Sequence, residues 1–523
     1  MIRQPLNPKL LYQLLALVAW PLSACAQHQT SSFTPIALSH ALPFQIQLKE
    51  YDFGSAELPG LHSYAAGHYD GKWVLLAGRT NGVHDLDQSG IDSFPAESQN
   101  RDVWVIDPVA KQSWHRSLGD PAAPGTNPSS GLNAAQIASL TPTNNQFTQQ
   151  GNRLYVTGGY GLDPAGSFTT FDTLTAIDLP GLADWVQTGS GHAADHIRQT
   201  ASATASVTGG AMYEMGGRFH LVFGQDFEGE YSPRTDGSYT RQVRSFDIVD
   251  DGTNLAIANV TQSTPLSAYR RRDLNVVPVV RPDGFGGTKE GLVALSSVFT
   301  SSFGAWTVPV EIDSSGNPTM ANPALPETFK QGFNGYHSAK FGLYSEASGS
   351  MHEVLMGGIS VQYVDESTGV VETDNAMPFV NDVTAVSIDA AGKYSQQHLG
   401  FYPQIDDQAG NQWRFGANAE FFLADGVPTF DSGVIKLDSL APNTRLGYVF
   451  GGIMANGPHT RGFPDVTSTA SFRIFEVVYA QVPEPAALPI LVLGGFVGTQ
   501  FREARALSKR LSVGGVSGGL ARA

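Results

Sequence analysis

Leu61-His62-Ser63-Tyr64-Ala65-Ala66-Gly67-His68-Tyr69-Asp70-Gly71-Lys72-Trp73-Val74-Leu75-Leu76-Ala77-Gly78 decides the fold, because it reads as a β-hairpin. Asp-Gly between two apolar-rich runs marks a two-residue turn in which both residues take positive φ. The run after the turn, Lys72 to Gly78, is almost wholly apolar, as a strand covered on both faces must be. A long polar loop follows. Asn100-Arg101-Asp102-Val103-Trp104-Val105-Ile106-Asp107-Pro108 then reads as a third strand, and Ser113-Trp114-His115-Arg116-Ser117-Leu118 as a fourth.

The same order recurs along the chain. A second unit has Gly151 to Gly159, then Thr173 to Asp178, then Trp185. A third has Gly217 to Gly224 and Gln242 to Asp247, with a fourth strand near Leu255 to Val260. A fourth unit has Asn275 to Val280, Gly291 to Leu295 and Ala305 to Asp313, with serines in place of the glycine pair. A fifth has His352 to Gly358, Asn381 to Asp389 and Tyr394. A sixth has Leu446 to Gly452 and Ser471 to Tyr479, and needs a further strand. Phe44-Gln45-Ile46-Gln47-Leu48-Lys49-Glu50-Tyr51 alternates apolar and polar residues and is the candidate to complete it. The alternative is a β-sandwich with irregular hairpins.

An apolar strand ending in small residues, a loop, an aromatic strand ending in Asp, a turn and a Trp resemble a kelch repeat, one blade of a β-propeller. Over residues 45–480 the resemblance implies an all-β, six-bladed kelch-type propeller, its ring closed by the N-terminal strand. Glycine pairs are then expected where strands crowd near the axis. The domain reading is a signal peptide over 1–27, a linker over 28–43, the propeller over 44–481 and a tail over 482–523.

Composition narrows the function. Charged residues are only 15%, which fits large buried sheet faces and uncharged polar loops. The net charge of −16 speaks against nucleic acid as a partner. Cys25 is the single cysteine, so the propeller body has no disulfide, no cysteine–zinc site and no thiol nucleophile.

Both ends carry export signals. Arg3 and Lys9 precede a mostly apolar run from Leu10 to Leu22, the pattern of a secretory signal. Leu22-Ser23-Ala24-Cys25 resembles a bacterial lipobox, which would lipidate Cys25, while Ala24-Cys25-Ala26 suits ordinary signal peptidase, the preferred cut. Pro483-Glu484-Pro485, an apolar run from Ala486 to Thr499 and the basic residues Arg502, Arg505, Lys509 and Arg510 resemble a PEP-CTERM sorting signal with a short hydrophobic helix. That resemblance implies removal by an exosortase-type enzyme, transient inner-membrane association, and a place at the cell surface or in the extracellular matrix. The apolar run is shorter than the ~20 residues of a permanent span.

No catalytic motif stands out. The galactose oxidase group of kelch propellers needs a cysteine in the propeller body, and none exists here. Sialidase Asp boxes are absent too. Kelch mutarotases acting on sialic acid resemble this chain at fold level only. Residues at the starts of innermost strands face the channel, which makes His62, Arg271, Arg272, Tyr336, His337 and Arg414 the candidate ligand-binding residues. His62-Ser63 and His337-Ser338 are read as equivalent pairs of the first and fifth units. Asp85, Asp87 and Ser89 resemble the start of a calcium loop, but the acid expected at the twelfth position is replaced by Ala96. No other cofactor is expected.

These readings combine into an exported binding protein whose partners are surface polysaccharide or surface proteins. The alternative is a carbohydrate-acting enzyme, mutarotase- or lyase-like, using the Arg/His channel cluster. His62, Arg271 and His337 around one cavity would favour the enzyme, and their dispersal the binder.

Overall fold

The computed structural model describes residues 33–38, 42–84, 93–120, 130–231, 236–301, 304–460 and 467–482. The lipidation candidate Cys25, the calcium-loop candidates Asp85, Asp87 and Ser89, and the sorting residues Pro483, Glu484 and Pro485 lie outside the described residues.

The chain folds as an all-β propeller. The first blade contains Ala65–Tyr69, Lys72–Leu76, Asp102–Asp107 and Gln112–Ser117, paired antiparallel in chain order. Asp70 and Gly71 have φ of 50° and 73°, the turn their sequence demands. The second blade is Gln146–Gln150, Arg153–Thr157, Thr173–Asp178 and Ile197–Ala201; the third is Ala211–Met215, Arg218–Val222, Val243–Asp250 and Leu255–Gln262. Val276–Pro282, Thr288–Ala294, Val310–Ile312 and Pro318–Met320 make the fourth. Ala339–Ser345, Ser350–Ile359, Phe379–Ile388 and Tyr394–Phe401 make the fifth.

The expectation of six blades is corrected here to five. Five blades are assembled from consecutive strands, whereas the remaining sheet is a composite of both ends of the propeller. It runs Arg414–Leu423, Arg445–Ala455, Ile474–Gln481 and then Phe44–Glu50, which pairs antiparallel with Ile474–Gln481. Its innermost strand, Arg414–Leu423, carries no glycine pair and no Trp, so the repeat pattern missed it.

A second correction concerns Trp185. It sits in a helix, Leu179–Thr188, inserted before the outer strand of the second blade. The Asp178 side chain accepts from the N–H of Gly181, Pro180 lies in the first turn, and Gly189 ends the helix at φ 75°. Trp185 is fully buried between the first two blades.

Each sheet packs on the next through an apolar layer. Trp73 of the first blade stacks on Phe422 of the composite sheet, ring centroids 4.4 Å apart. Phe44 meets His352 edge-on at 5.3 Å, which fastens the N-terminal strand to the fifth blade. The glycine pairs end the second strands, not the innermost ones. Their reason is left-handed backbone against a neighbouring loop: Gly158 has φ 62°, and a Cβ there would lie 1.9 Å from the Val207 carbonyl oxygen.

Candidate ligand site at the channel mouth

Just before each innermost strand, the chain is bridged to the residue that follows the end of the second strand's apolar run, after Ala77-Gly78, Gly158-Gly159, Phe223-Gly224 and Ser296-Ser297 in the first four blades. The bridges are His62 with Arg79, Thr143 with Tyr160, Thr208 with Gln225 and Arg272 with Val298. Ala417 faces Ile453 in the composite sheet, and the N–H of Tyr336 donates to the Ile359 carbonyl in the fifth blade. All of these except Ala417 line one cavity of about 440 Å³ at the channel mouth. The cavity is therefore a product of the repeat itself, with each sheet contributing from the same place.

Its wall is aromatic, with Phe94, Tyr160, Phe227, Tyr231, Phe299 and Tyr336. Two buried guanidinium groups enter it, each resting on a phenyl face. Arg79 lies 4.9 Å from the Phe94 centroid and Arg272 lies 4.8 Å from that of Phe299. Arg79 donates through Nε to Asn81 Oδ1 at 2.9 Å and through Nη2 to the Pro95 carbonyl at 3.2 Å.

Arg272 Nε is 3.6 Å from Asp273 Oδ2 and has no hydrogen-bond partner among the described residues. Burial works against its charge, but Asp273 with Tyr239, Tyr231 and Tyr336 outweighs that, and the guanidinium stays protonated. Asp273 is set by Asn144, whose Nδ2 donates to Oδ1 at 3.0 Å; the Thr143 hydroxyl fixes that amide by donating to its oxygen at 2.9 Å. Burial raises the Asp273 carboxyl, with Arg272 and Asn144 opposing.

His62 lines the mouth at 5% exposure, with Nδ1 3.0 Å from Ser63 Oγ. Burial, with Arg79 second, holds the ring neutral with a pKa of about 3. Tyr336 also lines the mouth, its phenol pushed far up by burial.

Three expected site residues lie elsewhere. Arg271 is wholly buried between the third and fourth blades. Its guanidinium donates to the carbonyls of Leu295 (3.1 Å), Val308 (2.8 Å) and Ala268 (3.2 Å) and lies 5.1 Å from the Trp306 ring. Burial lowers it to about 9, so it remains charged at neutral pH. Arg414 donates to the Gln412 carbonyl at 3.1 Å and lines neither channel cavity. His337 lines a second cavity deeper in the channel. Structural equivalence pairs His62 with Tyr336 and Ser63 with His337, one residue off the expected match, because the bridges to Arg79 and Ile359 set the register.

Arg79 was not among the sequence candidates. Its signal was positional: in each sheet the residue after the pair that ends the second strand's run lines the mouth, and Arg79 follows Ala77-Gly78. Among the described residues no group of three or more His, Cys, Asp or Glu is placed to hold a metal, and no helix is long and apolar enough to cross a membrane.

No family model and no curated protein matches the chain. Among solved structures it is similar to one titled "Structure of YjhT", at 10% identity and a TM-score of 0.42, over 82% of this chain and 99% of that one.

Proposed function

We propose that the protein is an exported surface or matrix binding protein whose channel mouth takes a small anionic saccharide. The observation that carries this reading is the pairing of two buried guanidinium groups, Arg79 and Arg272, with an aromatic wall around about 440 Å³. Guanidinium forks match a carboxylate, and aromatic faces match the apolar face of a sugar ring. The ligand class is therefore a uronic acid or another carboxylated sugar, the kind of unit found in acidic surface polysaccharides.

Dispersal of the Arg/His cluster supports a binder over an enzyme. His62 lies at the mouth, His337 in the deeper cavity and Arg271 between blades. Export rests on the sequence of the two ends: the basic-then-apolar start, and the Pro483-Glu484-Pro485 tail for an exosortase-type enzyme.

Titration calorimetry with glucuronic acid tests the mouth. Binding by the intact chain, weakened about tenfold or more in Arg272→Ala, supports the reading. Equal affinity for glucose and glucuronic acid, or no heat with either, would overturn it.

A further inference from the structure

Below the mouth, the channel holds a second chamber of about 260 Å³ with different chemistry. Its basic group is Lys340, on the innermost strand of the fifth blade. Lys340 Nζ lies 3.1 Å from His337 Nε2 and 3.4 Å from the Ser338 carbonyl. His337 Nε2 is in turn 3.6 Å from Glu420 Oε1. No carboxylate oxygen among the described residues comes within ion-pair distance of Lys340.

A fourth titratable group is buried near Lys340 without lining the chamber. Glu353 pairs across the sheet with Gly342, and a Cβ on Gly342 would sit 3.2 Å from Glu353 Oε2. Glu353 is wholly buried, and neither of its carboxyl oxygens has a hydrogen-bond partner among the described residues. Lys340, His337 and Glu420 thus line one confined polar space, and Glu353 is buried close enough to act on the Lys340 charge. Asn145 and Gln146 also line this chamber, their amide groups donating to the carbonyls of Gly158 (3.0 Å) and Asn144 (2.6 Å).

We propose that this lower chamber captures a small hydroxy-aldehyde or hydroxy-ketone reversibly, as an imine on Lys340. Burial lowers the Lys340 amine, with Glu420 and Glu353 opposing. Burial raises Glu420 to about 7 and Glu353 well above the carboxylate range, while it holds His337 neutral. An amine able to shed its proton beside an acid able to keep one is what carbonyl condensation needs.

The step balances without a further reactant. The Nζ lone pair attacks the carbonyl carbon, a C–N bond forms, and the carbonyl oxygen takes the Glu420 proton. His337 removes one proton from the nitrogen. The hydroxyl then takes that proton back from His337 and leaves as water. What remains is a protonated imine on Lys340 with the Glu420 carboxylate as its counter-ion. The mouth site is not involved, so the two proposals stand or fall separately.

The test uses the full chain with dihydroxyacetone and sodium cyanoborohydride, followed by peptide mapping. The expected result is a reduced adduct concentrated on Lys340, absent in Lys340→Met and slowed about tenfold in Glu420→Gln, which keeps the amine. Labelling confined to surface lysines, or labelling of Lys340 that is unchanged in Glu420→Gln, would overturn the proposal. Should Lys340→Met fail to fold, the Glu420→Gln comparison still decides it.

Discussion

The backbone N–H of Ser63 donates to the carbonyl oxygen of Asn418 at 3.3 Å, joining the first blade to the composite sheet at the channel waist. Five more bonds of the same kind complete a closed ring. Asn144 donates to Ser63 (3.1 Å), Gly209 to Asn144 (3.1 Å), Asp273 to Gly209 (2.7 Å), His337 to Asp273 (3.0 Å) and Asn418 to His337 (2.9 Å). Ser63, Asn144, Gly209, Asp273 and Asn418 line both cavities, so this ring divides the mouth from the lower chamber.

Five of the six ring residues, all but His337, hold left-handed backbone, Asn418 among them at φ 54°. Asn tolerates that region and a β-branched residue does not. Asn418→Val is expected to lose about 2 kcal/mol in chemical denaturation, with Asn418→Gly near neutral. Equal losses for both would show that the Asn418 side chain, not its backbone, matters.

Closure of the propeller depends on Phe44–Glu50. Phe44 is 1% exposed, and truncating it opens a cavity against His352 and Tyr479. Phe44→Ala should cost about 3 kcal/mol or more and speed hydrogen exchange in Ile474–Gln481. Unchanged exchange there would mean the composite sheet holds without its N-terminal strand.

Arg271 and Arg272 are neighbours with opposite duties. Arg271→Met leaves the carbonyls of Leu295 and Val308 without their donor, so about 3 kcal/mol of stability should go while ligand affinity in the surviving folded protein holds. Arg272→Met should do the reverse. Thermal unfolding and titration of the two variants side by side read the difference.

His62 makes stability depend on pH. Its folded pKa, about 3, lies below the ordinary 6.5, so the unfolded chain binds the proton first. Its contribution is complete above pH 6.5 and is lost as pH falls toward 3. Replacement by Gln should flatten the acid limb of the stability curve by roughly 2 kcal/mol at pH 5. Glu420 acts oppositely: its raised value, about 7, favours the fold below 4.5, an effect lost as pH rises through 7. An unchanged acid limb in His62→Gln would show that the ring is not held neutral.

The sequence showed much of the strand pattern, because Asp70-Gly71 and the glycine pairs punctuate it with residues that accept positive φ. It misplaced Trp185, since Asp178-Leu179-Pro180 caps a helix as readily as it ends a strand. The site was less legible. Arg271 and Arg272 sit on an irregular stretch where one bridge, Arg272 with Val298, sends one side chain to the mouth and its neighbour between blades. Arg79 was hidden because its place follows from the neighbouring strand, not from its own surroundings in sequence.

If Arg79 and Arg272 together read a carboxylated sugar at the mouth, the bound sugar must show it. A crystal structure of the full propeller soaked in glucuronic acid tests it most directly. Ligand density is expected above the ring of Ser63 and Asn418, with the carboxylate within hydrogen-bond distance of Arg272. A sugar ordered only on the outer blade surfaces, with the mouth holding water alone, would contradict it.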